Sequence, residues 1–251
     1  MQVLRSAQLT SAGFTHGFST REGGVSPLPE GTLDFALLRD PLRLAENTRR
    51  FAEATGFDAA QLYQARQVHG ARVLETGGEP RAMHALEADA IVARQQGHAA
   101  AVRVADCVPV LLANPSTGHV AAAHAGWRGL VAGVLEASRG ALGPGPCLAA
   151  IGPCIGACCF EVGTDVAREI AQASEPGVVA PEHAPGKARV NLRQAARAQL
   201  RALGVLDHEI EDVGGCTRCD PARYHSFRRD GDPSGRLLGV IVANSPRSHQ
   251  P

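Results

Sequence analysis

Aromatic residues are scarce: one Trp, two Tyr and seven Phe make up 4% of the 251 residues. The interior must therefore be filled mainly by Val, Leu and Ala. No apolar run approaches the roughly 20 residues that span a bilayer. The opening MQVLRSAQLTSAGF has no long apolar stretch of the kind an export signal carries. A cytoplasmic protein with no membrane anchor is expected. Net charge is also missing, since 25 Lys and Arg offset 25 Asp and Glu. That balance argues against a general nucleic-acid or anionic-membrane surface. The cysteines number seven, and an odd count without an export signal argues against a disulfide framework. Repeats, low-complexity segments and a linker between two cores are all absent. A hydrophobic content of 44% is enough for a sizeable core. One domain of mixed α/β content over residues 1–251 is expected, with 244–251 as a frayed tail.

The chemistry gathers in VRVADCVPVLLANPSTGHVAAAHAGWRG, residues 102–129. Two apolar runs, Val108 to Ala113 and Val120 to Ala123, flank the turn formers Asn114-Pro115-Ser116-Thr117-Gly118. The pattern predicts a β-hairpin that sets Cys107 across from Ala125, beside His124. A thiolate and an imidazole would then meet at its open end. On their own they are equally a pair of metal ligands or a thiol nucleophile with its base. A helix predicted over 129–141 would start near His124, where its free N–H groups favour an anion. Trp127 either stacks on a planar ligand or plugs the core.

Elsewhere, Asp40-Pro41 starts a helix that Gly56 ends, with Leu44, Thr48, Phe51 and Ala52 on its inner face. Strands are predicted at 62–68, 72–75, 88–93, 99–104, 148–151 and 237–243. Further helices are predicted at 164–173 and 191–203, a mobile loop at 176–189, and a strand end with a basic turn at 224–231. His69 ends the 62–68 segment, and locally it reads as a hydrogen-bonded strand-end histidine. Ser19-Thr20-Arg21 beside Gly23-Gly24 offers donors to an anion, although a surface turn is the simpler account. Cys154, Cys158 and Cys159 are not at a zinc-knuckle spacing and read as buried thiols. Cys216 and Cys219 form a lone C-x2-C, a weak metal signal.

Seven stretches carry a resemblance over nearly the whole chain: THGFSTREGGVS (15–26), QVHGARV (67–73), EADAIVA (87–93), VRVADCVPVLLA (102–113), HAGWRGLVAGVL (124–135), AIGPCIGACCFEVG (150–163) and CTRCDPARYHSFRRDG (216–231). The chain resembles the bacterial purine nucleoside phosphorylase family (YfiH-like) also described as laccase-like multicopper polyphenol oxidases. The resemblance implies a mixed α+β, one-domain sandwich of mixed β-sheet flanked by helices, YfiH/CNF-like. It implies His69, Cys107 and His124 as catalytic metal ligands, which reverses the local reading of His69. Two imidazoles and a thiolate leave a fourth position open, the pattern of catalytic zinc. The implied activity is phosphorolysis of adenosine, inosine, guanosine and S-methyl-5'-thioadenosine, together with adenosine deamination. The implied partners are purine nucleosides and inorganic phosphate.

Arg21, Arg128 and Arg228 are candidates for holding phosphate, and Asp106 either orients a ligand or caps the next strand. One departure from the family pattern is Thr32-Leu33-Asp34-Phe35, where an Asn-Leu stretch is usual. Three other readings remain. A copper (Cu2+) polyphenol oxidase would need His-x-His pairs, which the ten histidines do not form. A thiol hydrolase would use Cys107 as nucleophile. A non-catalytic metal-binding or partner-binding protein would close the site with a fourth ligand such as Cys154, Cys158 or Cys159.

Overall fold

The computed structural model describes residues 1–28, 32–37, 39–181 and 184–245. In chain order its strands are β1 (Val3–Leu4), β2 (His16–Ser19), β3 (Leu62–Tyr63), β4 (Val73–Glu75), β5 (Ala90–Ala93), β6 (Ala99–Val104) and β7 (Val108–Ala113), then β8 (Val120–Ala125), β9 (Leu148–Ile151), β10 (Glu161–Gly163), β11 (Lys187–Arg189), β12 (Ile210–Asp212) and β13 (Leu237–Val242). The α-helices are α1 (Ala7–Ser11), α2 (Pro41–Thr55), α3 (Trp127–Val131), α4 (Val134–Leu142), α5 (Thr164–Gln172), α6 (Leu192–Ala202) and α7 (Phe227–Asp230). None of these helices is long and apolar enough to cross a membrane.

Two mixed sheets make the frame. One has the order β1-β2-β13-β6-β3 and the other β12-β9-β7-β8-β5-β4. Alternate residues of the second sheet explain the layering. Ile91, Leu111, Ala122 and Ala150 face Phe18, Val102 and Ile241 of the first sheet in one apolar cluster. Their neighbours Val92, Val110, Leu112 and Ala123 face Leu135 of α4 and Leu200 of α6 in another. The outer face of the first sheet, including Leu238 and Val240, packs on Phe51 of α2. The result is a sandwich of mixed sheets flanked by helices, as expected. Strands buried on both faces read as continuous apolar runs, which is why 108–113 and 120–125 do not alternate. Phe18 lies between the sheets where Gly152 and Gly239 leave room, since a Cβ on Gly152 would stand 2.4 Å from its ring.

The helix over 41–55 follows its end signals. Asp40 caps it by accepting from the N–H groups of Leu42 and Arg43, and Gly56 closes it in the left-handed conformation. Other expectations are corrected. The hairpin pairs Val108 with Ala125 and Pro109 with His124, one residue beyond the expected register. Its loop takes in His119, because Asn114 bonds that residue's carbonyl and accepts from the backbone of Ser116 and Thr117. The helix expected over 129–141 is two helices, broken at Gly133, which adopts φ 85°. Val131, placed on its apolar stripe, is exposed. The strand expected over 62–68 stops at Tyr63, and the chain turns off to carry His69. The basic turn at 227–230 is the one-turn helix α7, capped by Ser226. The expected loop at 176–189 contains β11, which pairs with β10; its residues 182 and 183 lie outside the described residues. Residues 246–251 of the expected tail also lie outside them, whereas Asn244 donates to the Gly13 carbonyl.

Candidate metal centre

Three segments distant in sequence meet at one end of the second sheet. Cys107 sits in the tight connection between β6 and β7, just after Asp106, which adopts φ 87°. His124 is on β8 and buried. His69 lies in the 67–70 turn with φ 62°. One ligand atom from each falls within 4.8 Å of the other two. The rings of His69 and His124 meet edge to face, with centroids 4.8 Å apart. Gly126 is required here, because a Cβ would lie 2.9 Å from the Cys107 sulfur and 3.0 Å from the His69 ring.

A residue not singled out from the sequence organises the centre. Asp89, fully buried at the start of β5, accepts His124 Nδ1–H at 2.8 Å. Its carboxylate also accepts the backbone N–H groups of Val68 (3.1 Å), His69 (2.8 Å) and Gly70 (2.7 Å). One side chain therefore fixes the His124 tautomer, leaving Nε2 for a ligand, and holds the turn that carries His69. Burial pushes the Asp89 carboxyl up, but His124 and the N–H groups outweigh it and hold the group below its ordinary value. Burial also opposes charge on Cys107 and His124. Their mutual attraction nevertheless lowers the thiol and raises the imidazole, with Asp89 adding to the latter. Both shifts run in the direction that favours a thiolate beside an imidazolium when no metal is bound. Gln67 adds a second brace, exchanging hydrogen bonds with the Arg103 backbone at 2.7 and 2.8 Å.

The centre opens into a cavity of about 630 Å³ lined by His69, Cys107 and His124. Its described lining includes Arg39, Arg66, Arg103, Arg228 and Arg236 against Asp106 and Asp232. Such a wall favours an anion. Phe160 and Phe227 supply apolar surface, with the Arg228 guanidinium 5.3 Å from the Phe160 ring centre. Of the arginines expected to hold phosphate, Arg228 lines this cavity. Arg21 and Arg128 are not among its described lining residues. The Arg21 side chain donates to the Pro221 carbonyl at 2.9 Å, and exposed Arg128 lies 4.5 Å over the half-buried Trp127 ring. Asp106 makes no hydrogen bond to His69 or His124. It accepts from Thr217 Oγ1 at 2.5 Å and from the Arg228 backbone N–H at 2.6 Å, tying three loops together. In the 32–35 segment, buried Asp34 accepts from the Arg236 backbone at 2.7 Å and pairs with Arg39 at 3.6 Å. That segment thus steadies two of the cavity's arginines.

The cysteines also depart from expectation. Cys154 is buried in the core, as read from the sequence. Cys158 and Cys159 are exposed and half-buried, and they gather with Cys216 and Cys219. None of the three proposed closing cysteines joins the His69, Cys107 and His124 group.

Residues 15–244 match the family model described as multi-copper polyphenol oxidoreductase laccase. The structure is similar to the crystal structure of YlmD from Geobacillus stearothermophilus, with a TM-score of 0.85 and 32% identity over 96% of this chain and 94% of that one. The curated sequence is named purine nucleoside phosphorylase YlmD, and it is 33% identical over 95% of this chain and 93% of its own length. A purine nucleoside phosphorylase of Streptomyces coelicolor is 39% identical over 92% of this chain and 96% of its own length. A protein named adenosine deaminase RL5, from an unknown prokaryotic organism, is 38% identical over 80% of this chain and 82% of its own length.

Proposed function

We propose, from the premise that this chain belongs to the multi-copper polyphenol oxidoreductase laccase family, that it is a zinc-dependent purine nucleoside phosphorylase that also deaminates adenosine. The observation that carries the reading is one cavity that joins a two-histidine, one-thiolate group to an arginine-rich wall. The names of the similar proteins support the same chemistry. Adenosine, inosine, guanosine and S-methyl-5'-thioadenosine are the proposed nucleosides. Residues 1–251 are read as one catalytic domain, which fits a cavity lined by residues from Ala36 to Arg236.

His69, Cys107 and His124 suit zinc, which takes imidazole and thiolate ligands and keeps an open fourth position in catalytic sites. Zinc held there supplies a Lewis acid and lowers the pKa of a water toward about 7. Asp89 keeps His124 in the ligating tautomer. Phosphorolysis replaces the bond between the base nitrogen and the sugar C1' with a bond from a phosphate oxygen to C1'. Arg228, Arg103 and Arg236 hold and orient the phosphate, while Phe160 and Phe227 exclude water and flank the flat base. Asp106 fixes the Arg228 backbone and the loop preceding Cys107.

A copper oxidase fits the donors less well. Among the described residues, histidine enters a metal-ligand group only with Cys107, and the other group is all cysteine. The deciding experiment measures phosphate-dependent release of base from inosine and adenosine by metal-loaded protein. Activity should vanish together with the metal of this three-ligand site in Cys107→Ala. Full activity in that variant, or no base release by the wild type, overturns the reading.

A further inference from the structure

Cys158, Cys159, Cys216 and Cys219 are not among the described residues that line the cavity. All four sulfurs fall within 4.8 Å of one another. The Cys219 sulfur is 3.5 Å from that of Cys158 and 3.3 Å from that of Cys159. Zinc–sulfur bonds of about 2.3 Å in a tetrahedron put the sulfurs roughly 3.8 Å apart; the two Cys219 separations fall a few tenths of an ångström short of that, and all four sulfurs stay within 4.8 Å.

Two loops bring the four together. In the first, the N–H groups of Cys159 and Phe160 both bond the Gly156 carbonyl, a tight turn that carries adjacent cysteines. In the second, Cys216 forms a parallel bridge with Cys154, and the Thr217 N–H donates to the Cys154 carbonyl at 3.0 Å. Gly156 allows the close approach, since a Cβ there would stand 3.2 Å from both the Cys158 sulfur and the Cys216 Cβ. Polar donors already face the sulfurs. The Gly156 N–H donates to Cys216 Sγ at 3.2 Å, and the Arg218 guanidinium to Cys159 Sγ at 3.6 Å. Four thiolates around a divalent ion leave two net negative charges, and these donors offset part of that charge.

We propose that Cys158, Cys159, Cys216 and Cys219 form a second metal site, a closed tetrathiolate for a thiophilic divalent ion, zinc by its ligand set. Binding displaces the thiol protons and involves no redox change. The ion staples the 156–160 turn to the 216–219 turn. Thr217, inside the second turn, bonds the Asp106 carboxylate, and Asp106 also holds the Arg228 backbone. The ion is thus a positioning element: it fixes the loop that braces the residue before Cys107.

The test counts metal in protein purified with zinc under reducing conditions. The wild type should carry two zinc ions per chain, Cys107→Ala one and Cys219→Ser one. Cobalt-loaded Cys107→Ala should show the sulfur-to-metal charge-transfer absorption of a four-thiolate site, and this readout does not depend on the folding of the Cys219 variant. The proposal is overturned if Cys107→Ala holds no metal. It is also overturned if the zinc-loaded Cys107→Ala protein gives four freely titratable thiols at these positions, or a disulfide from Cys219 to Cys158 or Cys159. Because Cys107→Ala removes the one thiolate from the His69, Cys107 and His124 group and leaves all four thiolates of this one, failure here is distinguishable from failure of the phosphorylase reading.

Discussion

Asp89→Asn probes the centre with almost no change of shape. One carboxylate oxygen accepts from the His69 backbone and His124 Nδ1, and the other from the backbones of Val68 and Gly70. An amide replaces one acceptor oxygen with a donor nitrogen. Whichever way it faces, two N–H groups lose their acceptor and confront another donor. Each hydrogen bond to a charged group contributes about 1.5–3 kcal/mol, so two of them amount to ~3–6 kcal/mol. For a chain of this size, 1 kcal/mol moves Tm by about 2–4 °C. The metal-free variant should therefore melt at least about 6 °C below wild type. Metal affinity should drop by about 10–100-fold. If the amide nitrogen faces His124, the imidazole must put its proton on Nε2 and lose its ligating lone pair. If it faces the other way, Val68 and Gly70, on either side of His69, lose their acceptor. Competition against a chromophoric chelator gives the affinity, and calorimetry gives Tm. An affinity within about threefold of wild type with an unchanged Tm would refute the role assigned to Asp89. There is also a pH signature. The folded-state pKa of Asp89 lies below its ordinary value, so its contribution is full above the ordinary carboxylate range and is lost as pH falls through the depressed value. Asp89→Asn should lack that acid-side loss.

Gly126→Ala should cut metal affinity at least about tenfold, roughly 1.4 kcal/mol, because its Cβ meets Cys107 and His69 at 2.9 and 3.0 Å; unchanged affinity by the same chelator titration would show that the ligands move aside freely. Arg228→Ala should raise KM for phosphate about 10–100-fold, one charge-assisted contact, with a smaller effect on KM for the nucleoside; an equal rise in both would move Arg228 from the anion to the base. Metal affinity should rise about tenfold per pH unit between the lowered thiol value and the raised imidazole value, because binding there displaces one proton from His124. A flat affinity over that window, read by titration in several buffers, would remove the thiolate–imidazolium pair from the metal-free state.

The parts legible in the sequence were those governed by near neighbours. Asp40-Pro41 and Gly56 mark the ends of α2 through local capping. The turn formers at 114–118 announce the hairpin that presents Cys107 and His124. His69 had no such signature: its position depends on a positive φ that histidine does not advertise and on Asp89, twenty positions away. Asp89 itself reads as one residue of the strand predicted over 88–93, because its donors come from the 68–70 turn and from β8. Cys158-Cys159 and Cys216-x2-Cys219 each fall short of a metal motif alone, and the parallel bridge at Cys154 and Cys216 joins them. The cavity arginines other than Arg228 have no sequence signature for the same reason. Arg39, Arg66, Arg103 and Arg236 come from four separate segments, and the two sheets bring them together.

Trp127 follows Gly126 directly and lies three positions after His124. The protein has no other tryptophan, so all of its indole emission originates beside the ligand set. The Arg128 guanidinium sits 4.5 Å over that ring. Any shift of the 124–129 segment as metal or substrate arrives alters the quenching of this one fluorophore. The scarcity of aromatics that left the core to Val, Leu and Ala also makes the segment that carries His124 its own optical probe, readable by stopped flow without a label.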